Sequence, residues 1–370
     1  VGSRKTTLLN HILESPDHGM RFAIIENEFG EVGVDEKVIK EASDEQLIEV
    51  MNGCICCTVR GGLSAALKRL QWKTEGFDGV IIETTGLADP APVAQTFFVD
   101  DELKSVYHLD GIITVVDAKH VLEHLHEEKP EGVENECVEQ VAFADRVLLN
   151  KCDLVDEEKL EGVVKALRGI NANAEIIQTQ YGQVAPSKLI NIRAFALDKV
   201  LEMDPEFLNT DGEHQHDLSV SSVSVRFEGE LNHQQLRMWI SELQQKNGKD
   251  LFRYKGVLAV KGMPDKFIFQ GVHMLFSGSF DERFRWKANE VRECRCVFIG
   301  RNLSKEALEK GVMSCKVAPL RFKVGDAVEA NCDGWEPGRV VALWDDGNPY
   351  RIRLQNGDEC WGPVDSDQFV

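Results

Sequence analysis

The chain has no uninterrupted apolar run long enough to span a bilayer, because its longest apolar segments are short and strand-like. It is also poor in positive charge, with 42 lysines and arginines against 62 aspartates and glutamates and a formal net charge of −20. Phosphate backbones repel such a surface. We therefore expect neither a membrane nor a nucleic acid as a partner.

The sequence also lacks the cysteine pattern of a small secreted protein held together by disulfides. Ten cysteines spread over 370 residues do not resemble such a pattern, and their clustering favours reduced thiols in the cytoplasm. The chain starts at Val1 inside what reads as a motif. We expect residues ahead of it, so the cytoplasmic expectation does not extend to organelle targeting.

Four regions follow one another along the chain. Residues 1–192 alternate short apolar runs with amphipathic stretches, which predicts a parallel α/β sheet. A polar linker is expected over 193–217. Residues 218–318 are predicted to form a smaller α+β domain with mainly antiparallel strands. The strand-rich segment 322–370 has turn signals at Asp345–Pro349 and Asn356-Gly357, which predict a small SH3-like or Tudor-like β-barrel.

The segment Gly2–Asn10 resembles the end of a P-loop, whose backbone N–H groups cradle phosphates at a helix N-terminus. In this interpretation Lys5 reaches the β- and γ-phosphates and the Thr6 hydroxyl coordinates Mg²⁺. The candidate nucleotide-binding residues here are Gly2, Ser3, Lys5, Thr6 and Thr7.

Two further motifs arrive in the order that a nucleotide-binding domain requires. The apolar run Gly79–Gly86 ends in an acid, Glu83, that could support Mg²⁺ or its waters. Asn150-Lys151-Cys152-Asp153 follows another apolar strand. An aspartate at that place accepts from the ring N–H and the exocyclic amine of guanine, a pair of donors that adenine lacks. We therefore predict GTP as the nucleotide, with Glu83, Gly86, Asn150, Lys151 and Asp153 among its binding residues.

Arg4 stands where a P-loop normally has glycine just before its lysine. Glycine lets the backbone approach the phosphates with no side chain in the way. We expect this arginine to affect nucleotide binding and hydrolysis more than metal binding. No catalytic base can be named from the sequence.

The segment Cys54-Ile55-Cys56-Cys57 places three thiols within four residues. Thiolates bind Zn²⁺ and Cu⁺ tightly, and zinc with cysteine ligands is tetrahedral, which leaves one vertex for a carboxylate, water or client donor. A redox switch and buried structural thiols are the alternatives. Adjacent Cys56 and Cys57 would form a strained disulfide, which disfavours the redox alternative. Cobalt and iron stay open as cargo, because affinity alone does not select the metal.

Together these motifs resemble the CobW-type family of P-loop GTPases, and in particular its zinc-chaperone branch. The resemblance covers residues 1 to about 315 and leaves the last segment outside it. The stretches that carry it are Lys5–Leu13, Ile25–Asp35, Asn52–Cys57, Ile82–Pro90, Asp110–Asp117, Asn150–Asp153 and Gly256–Gly262.

The resemblance implies a P-loop GTPase domain followed by a CobW C-terminal-like domain, with low GTPase activity coupled to metal delivery to a client metalloprotein. It implies Cys54, Cys56 and Cys57 as metal ligands, with Glu26 and Glu31 as candidate carboxylate ligands. GTPase switch segments are ordered by the γ-phosphate and Mg²⁺ and are released on hydrolysis. We hypothesise that GTP turnover weakens zinc binding and so permits transfer.

An adaptor that binds metal or nucleotide without hydrolysis is the rival interpretation, and Arg4 is the residue that favours it. Such an adaptor would recruit partners through the terminal barrel. An aromatic groove for a peptide would come from Trp335, Trp344, Tyr350 and Trp361. Aromatic core packing in a barrel of about fifty residues is the alternative for the same side chains.

Overall fold

The structure, a computed structural model, describes residues 5–26, 63–68, 70–71, 77–84, 86, 89–127, 129, 135–195, 219–332 and 334–370. The chain divides into two compact units, with the boundary between residues 199 and 222. Among the described residues, no helix combines the length and the apolar character needed to cross a bilayer.

The N-terminal unit begins with helix α1 (Lys5–Glu14) and two parallel strands, β1 (Phe22–Glu26) and β2 (Gly79–Glu83). Residues 63–68 and 70–71 are helical. Helices α2 (Ala91–Val99) and α3 (Asp101–Val106) follow β2. The β1–β2 register runs from Phe22 opposite Gly79 to Glu26 opposite Glu83. Both strands therefore end in a glutamate, and the two glutamates lie side by side at the carboxyl end of the sheet.

Three more parallel strands complete the described sheet structure of this unit, in the order β3-β4-β5. Their bounds are β3 (Ile113–Asp117), β4 (Arg146–Asn150) and β5 (Glu175–Gln178). The helices between and after them are α4 (Val121–Leu125), α5 (Glu136–Phe143) and α6 (Glu157–Ile170). The α/β class expected from the alternating pattern is confirmed by these parallel pairings.

Helix α1 lies across both groups of parallel strands. Leu8 and Ile12 pack with Leu148 of β4 and Ile177 of β5, and Leu9 packs with Phe22 and Ile24 of β1. A cavity of about 420 Å³ separates β2 from β3. It contacts every residue of β2 from Gly79 to Glu83, whereas a cavity over one face of a strand would contact alternate residues. The cavity therefore lies at the edge of β2.

The C-terminal unit contains a five-stranded sheet in the order β6-β10-β7-β8-β9, in which the pairs β10–β7, β7–β8 and β8–β9 are antiparallel. The strands are β6 (Val220–Glu228), β7 (Leu251–Leu258), β8 (Asp265–Val272), β9 (Leu275–Arg285) and β10 (Glu293–Arg301). Helices α7 (His233–Asn247) and α8 (Lys305–Ser314) bury Leu236, Ile240, Leu308 and Val312 against it. Asn232 and Ser304 cap these helices by accepting from Gln235 and Ala307 backbone N–H groups.

One strand of this sheet was not expected from the sequence pattern. The apolar pattern over Lys266–Leu275 predicts one continuous strand, but the chain turns at His273-Met274 and returns as β9. His273 has a φ of +50°, a conformation usually given to glycine or asparagine in such a tight hairpin. The sequence therefore carried no turn signal at this place.

The last segment forms a four-stranded antiparallel sheet in the linear order β11-β12-β13-β14. Its strands are β11 (Ala327–Asn331), β12 (Trp335–Asp345), β13 (Asn348–Leu354) and β14 (Glu359–Gly362). The closed barrel is not confirmed, because no β11–β14 pairing occurs among the described residues. The C-terminal segment lies beside β11 instead, where the Asn331 N–H donates to the Phe369 carbonyl at 3.0 Å.

Two cysteines of this sheet are covalently joined. Cys332 and Cys360 form a disulfide across 28 residues of sequence. The expectation of reduced thiols is therefore wrong for this pair. Cys137, Cys152, Cys294, Cys296 and Cys315 are free thiols.

Candidate functional site

The carboxyl ends of β1 and β2 and the start of α1 meet at one edge of the N-terminal unit. Lys5, the first described residue of α1, places its Nζ atom 3.6 Å from Glu83 Oε1. The same ammonium donates to the Thr84 carbonyl oxygen. The register of the two strands sets the backbone of Glu26 directly beside that of Glu83. The structure thus brings together three predicted site residues from three separate motifs.

The start of α1 is suited to an anion. The first turn holds no acidic residue, so nothing there neutralises the partial positive charge of the helix N-terminus. Thr6 and Thr7 are exposed, which leaves their hydroxyls accessible. Oxygen donors such as the Thr6 hydroxyl and the Glu83 carboxylate are the ligands that Mg²⁺ prefers, so the residues present fit this ion.

The second part of the site follows β4. Asn150 is fully buried, and its Oδ1 accepts from the Gly182 N–H at 3.0 Å. Lys151 adopts a left-handed conformation with a φ of +64°, and a short 3₁₀ turn over Cys152–Leu154 follows it. Asp153 is exposed on that turn. The motif thus divides its work: Asn150 fixes the loop, and Asp153 is free to contact a base.

A loop after β5 connects this motif to α1. Thr179 donates its N–H to the Leu149 carbonyl at 2.8 Å and its hydroxyl to Gln183. Gly182 has a φ of +71°, and a Cβ atom there would meet the Leu8 backbone at 3.5 Å. His11 Nε2 lies 2.9 Å from the Val184 carbonyl oxygen. The loop over residues 179–184 therefore joins the two halves of the site, a role the sequence analysis did not assign to it.

Asp117 is a second residue that sequence reasoning missed. It ends β3, its side chain is 9% exposed, and its Oδ2 lies 2.6 Å from Lys151 Nζ and 3.0 Å from His120 Nδ1. Burial alone would raise the pKa of Asp117. The hydrogen bonds from Lys151, His120 and the Lys119 N–H outweigh it, so the pKa lies below its usual value. An acid at the end of an apolar strand was the available signal.

Gly86, the last of the predicted residues on the β2 motif, is held by α5. Its carbonyl accepts from Gln140 Nε2 at 3.0 Å, and the Gln140 carbonyl accepts from Thr114 of β3 at 2.7 Å. This chain of contacts ties the segment after β2 to β3. Gly86 takes part in these contacts through its backbone carbonyl.

Several predicted residues lie outside the described part of the chain. These are Gly2, Ser3, Arg4, Glu31, Cys54, Cys56 and Cys57, and for Glu26 only the backbone is described. Within the described ranges, which omit 27–62, no group of three or more His, Cys, Asp and Glu side chains could hold a metal ion. The predicted zinc ligands therefore stay predictions.

The described free thiols are poor candidates for metal ligands. Cys294, Cys296 and Cys315 are at most 1% exposed in the core of the C-terminal unit. Burial raises the pKa of Cys294 to about 12 and that of Cys315 to about 11. Burial likewise raises the pKa of Cys137 to about 11. A thiol that stays protonated at neutral pH is a weak ligand, because metals bind the thiolate. Cys-Arg-Cys at 294–296 predicts two thiols on one face of a strand and packed in a core, and the burial of Cys294 and Cys296 confirms this.

The aromatic groove expected on the last segment is partly wrong. Tyr350 is fully buried in the core of the terminal sheet. Trp335 and Trp361 are 50% and 44% exposed. Trp361 lies under the Arg351 guanidinium, 5.6 Å from its ring centre. The exposed aromatic surface is therefore smaller than the sequence suggested.

Two family descriptions match the chain. The nucleotide-binding domain of CobW/HypB/UreG matches residues 1–178, and the C-terminal domain of the cobalamin synthesis protein CobW matches residues 220–316. Neither match includes the residues of the terminal sheet.

Individual proteins are similar over most of both chains. The zinc chaperone YjiA of Escherichia coli is 36% identical over 314 residues, which cover 83% of this chain and 93% of that protein. Zinc-regulated GTPase metalloprotein activator 1 of Schizosaccharomyces pombe is 31% identical over 340 residues, with 82% and 81% covered. The crystal structure of Zn(II)-bound YjiA GTPase from Escherichia coli matches with a TM-score of 0.68 at 31% identity, covering 86% of this chain and 96% of that one.

Proposed function

Because this chain belongs to the CobW family of P-loop proteins, we propose that it is a GTP-dependent zinc metallochaperone. In this proposal it hydrolyses GTP, carries Zn²⁺ as cargo and transfers the ion to a client metalloprotein. The names of its relatives, a zinc chaperone and a zinc-regulated GTPase metalloprotein activator, support this choice of cargo and nucleotide.

The observation that carries the proposal is the junction of Lys5, Glu83 and Glu26. Lys5 and Glu83 belong to the phosphate edge, with 3.6 Å between their charged atoms. Glu26 is the neighbour of Glu83 in the strand register and the last described residue before the segment that leads to the cysteines. A structural change at the phosphates that moves Glu83 can therefore reach Glu26, at the start of the candidate metal segment, through the pairing of β2 with β1.

At the nucleotide, each residue has one task. The exposed start of α1, with Lys5, Thr6 and Thr7, would hold the phosphates together with Gly2 and Ser3, and Asp153 would accept from guanine. Mg²⁺, held by Thr6 and supported by Glu83, would neutralise charge that develops on the phosphates. Water attacks the γ-phosphorus, the bond to the β–γ bridging oxygen breaks, and GDP and phosphate leave.

The cargo ion would sit on the thiolates of Cys54, Cys56 and Cys57, with Glu26 or Glu31 at the fourth vertex. A site with three cysteines and one replaceable acid releases zinc more readily than a closed four-cysteine site. We propose that GTP hydrolysis moves the acidic ligand and so lowers the affinity for zinc. If the site binds Zn²⁺ no more tightly than it binds cobalt or iron, one of those metals is the cargo instead.

We propose the division of labour along the chain as well. Residues 1–192 would be the GTPase domain, 193–217 a linker and 218–318 the domain that contacts the client. The terminal segment 322–370 would bind a peptide partner, and the exposed Trp335 and Trp361 support this use of its surface. We place the protein in the cytoplasm, because thiols that bind and release metal must stay reduced.

Zinc titration against a chromophoric chelator tests the cargo site. Changing Cys54, Cys56 and Cys57 together to serine should weaken zinc binding by about 100-fold or more, since losing ligands costs at least as much as losing their supporting contacts. Cys137→Ser is the matched control, because burial keeps that thiol protonated, and it should leave the affinity unchanged. An unchanged affinity in the triple variant would remove these cysteines from the proposal.

GTP hydrolysis by the full chain, with and without Zn²⁺, separates the chaperone from a non-hydrolysing adaptor. The chaperone requires phosphate release from the natural sequence. If the natural sequence is inactive and Arg4→Gly restores hydrolysis, the adaptor interpretation is correct, and Arg4 is the residue responsible.

A further inference from the structure

Two acidic residues, Asp117 and Asp153, neighbour Lys151 at the predicted base site, one across the sheet and one along the chain. Asp117 ends β3 directly opposite Asn150, the last residue of β4. Lys151 follows Asn150, and Asp153 comes two residues later on the 3₁₀ turn. One acid thus pairs with Lys151 from the neighbouring strand β3, and the other follows Lys151 by two residues along the chain.

Lys151 is paired with only one of these acids. Its Nζ atom lies 2.6 Å from Asp117 Oδ2, and the lysine side chain is 17% exposed. His120 Nδ1 lies 3.0 Å from the same oxygen, and the Lys119 N–H donates to Oδ1 at 2.9 Å. Asp117 is therefore engaged at both oxygens by three groups.

Asp153 is in the opposite situation. It is exposed, and within the described residues it makes no ion pair or side-chain hydrogen bond. A carboxylate that must accept two hydrogen bonds from a base has to be available when the base arrives, because each donor left unpaired weakens binding. Lys151 is the lysine nearest to Asp153 along the chain.

We propose that Asp117 is a specificity-determining positioning residue that holds the Lys151 ammonium away from Asp153. The inference rests on the proposed function, in which Asp153 reads guanine. With Asp117 charged, Lys151 has a buried partner and three hydrogen-bonding groups converge on one fixed carboxylate. Without that charge, the lysine turns to the next carboxylate, and Asp153 loses an oxygen for the exocyclic amine of guanine.

The test compares binding of GDP with that of inosine diphosphate, which lacks the exocyclic amine, by competition against a fluorescent nucleotide on the full chain. The wild type should prefer GDP. Asp117→Asn keeps the shape and should lower the ratio of the two affinities by about tenfold, as expected when one hydrogen bond to a charged group is lost. If Asp117 has a purely structural role, the substitution should weaken the binding of both nucleotides equally and leave the ratio of their affinities unchanged.

A second variant gives the proposal its sharper check. Adding Lys151→Met to Asp117→Asn removes the ammonium that would occupy Asp153, so the preference for GDP should return. Asp110→Asn is the control: that carboxylate accepts from the Ile192 and Arg193 N–H groups, and its loss should leave the ratio as in the wild type.

The outcomes are distinguishable. A wild type without preference for GDP contradicts both the guanine interpretation and this inference. A wild type with the preference, together with Asp117→Asn that keeps it or a double variant that fails to regain it, contradicts this inference alone. If Asp117→Asn does not fold, Asp117→Ser, which also removes the charge, takes its place in the same comparison: the inference requires a lower ratio of the two affinities, and an unchanged ratio overturns it.

Discussion

The two units of this protein place their titratable residues in opposite surroundings. In the N-terminal unit, Lys5 at the start of α1 is 31% exposed, and Asp153 on the turn after β4 is exposed. In the C-terminal unit, Cys294, Cys296 and Tyr254 lie inside a sheet packed under two helices and are at most 2% exposed. A titratable side chain therefore indicates chemistry only where the fold leaves it accessible. Here the carboxyl ends of the parallel strands carry the candidate site, and the antiparallel sheet buries its residues in a core.

The largest expected effect removes a ring from the C-terminal core. Phe298 is 1% exposed and packs edge-on to Trp239 and face-on to Tyr254. Phe298→Ala should lower the free energy of unfolding of that unit by about 3–5 kcal/mol, because the cavity cannot fully collapse. Denaturant unfolding followed by tryptophan fluorescence measures it, since five of the six tryptophans lie beyond residue 222.

The exposed Met238 supplies the control for that comparison. It is 50% exposed and lies on α7, the helix that carries Trp239. Met238→Ala should change the unfolding free energy by less than about 0.5 kcal/mol. A Phe298→Ala variant as stable as the wild type would show that this core is not what holds the unit together.

The next effect concerns the disulfide of the terminal sheet. Reduction of Cys332–Cys360, or its replacement by two serines, should cost that sheet roughly 2–4 kcal/mol, because the link shortens a loop in the unfolded chain. Hydrogen exchange at β11 and β14 measures the loss. Equal protection of these amides with and without reductant would contradict the prediction, and GDP affinity should stay unchanged as the internal control.

On the other side of the comparison, Lys5→Ala should weaken GDP binding by about 30- to 100-fold, since hydrogen bonds to charged groups contribute about 1.5–3 kcal/mol. Isothermal calorimetry measures the affinity, and the stability of the C-terminal unit should not move. Lys104→Ala, which loses only the exposed pair with Asp101 at 2.9 Å, is the matched control. Equal affinities for the two variants would remove Lys5 from the phosphate site.

The smallest effect is a pH dependence confined to the C-terminal unit. Burial lowers the pKa of His233, Arg237 lowers it further and Asp346 opposes them. The His233 ring packs edge-on against the rings of Phe267 and Phe280. A histidine whose pKa falls on folding takes up its proton more readily in the unfolded chain, so stability is lost as the pH falls below about 6.5. His233→Gln should remove that part of the acid sensitivity in thermal melts between pH 7 and 5, and an unchanged slope would contradict it.

Much of the fold could be predicted because apolar runs bounded by polar residues leave few alternatives. Five apolar runs in residues 1–192 predict strands, at Arg21–Ile25, Gly79–Ile82, Gly111–Val116, Arg146–Leu149 and Glu175–Gln178. All five strands are present, and β5 has the predicted bounds. The Asp346-Gly347 turn between β12 and β13 also follows its sequence signal, with positive φ at both residues. The turn at His273 could not be predicted, because a histidine in a left-handed conformation carries no such signal.

The candidate site was predictable where one motif supplies one residue. Lys5, Glu83 and Asn150 were identified because each sits at a fixed place in a short pattern. Asp117 was missed because its role depends on which strand lies beside β4. The sequence of a single segment does not show which distant segment it pairs with. The closed terminal barrel was wrong for a related reason: alternation predicts strands, but it does not say which strand completes the sheet.

The central claim is that the nucleotide controls the zinc site, and one measurement tests it most directly. Zinc affinity of the full chain is measured by chelator competition with a non-hydrolysable GTP analogue and then with GDP, at equal magnesium. The account predicts tighter zinc binding with the GTP analogue, because the γ-phosphate would hold the acidic ligand in place. Equal zinc affinities in the two nucleotide states would contradict it.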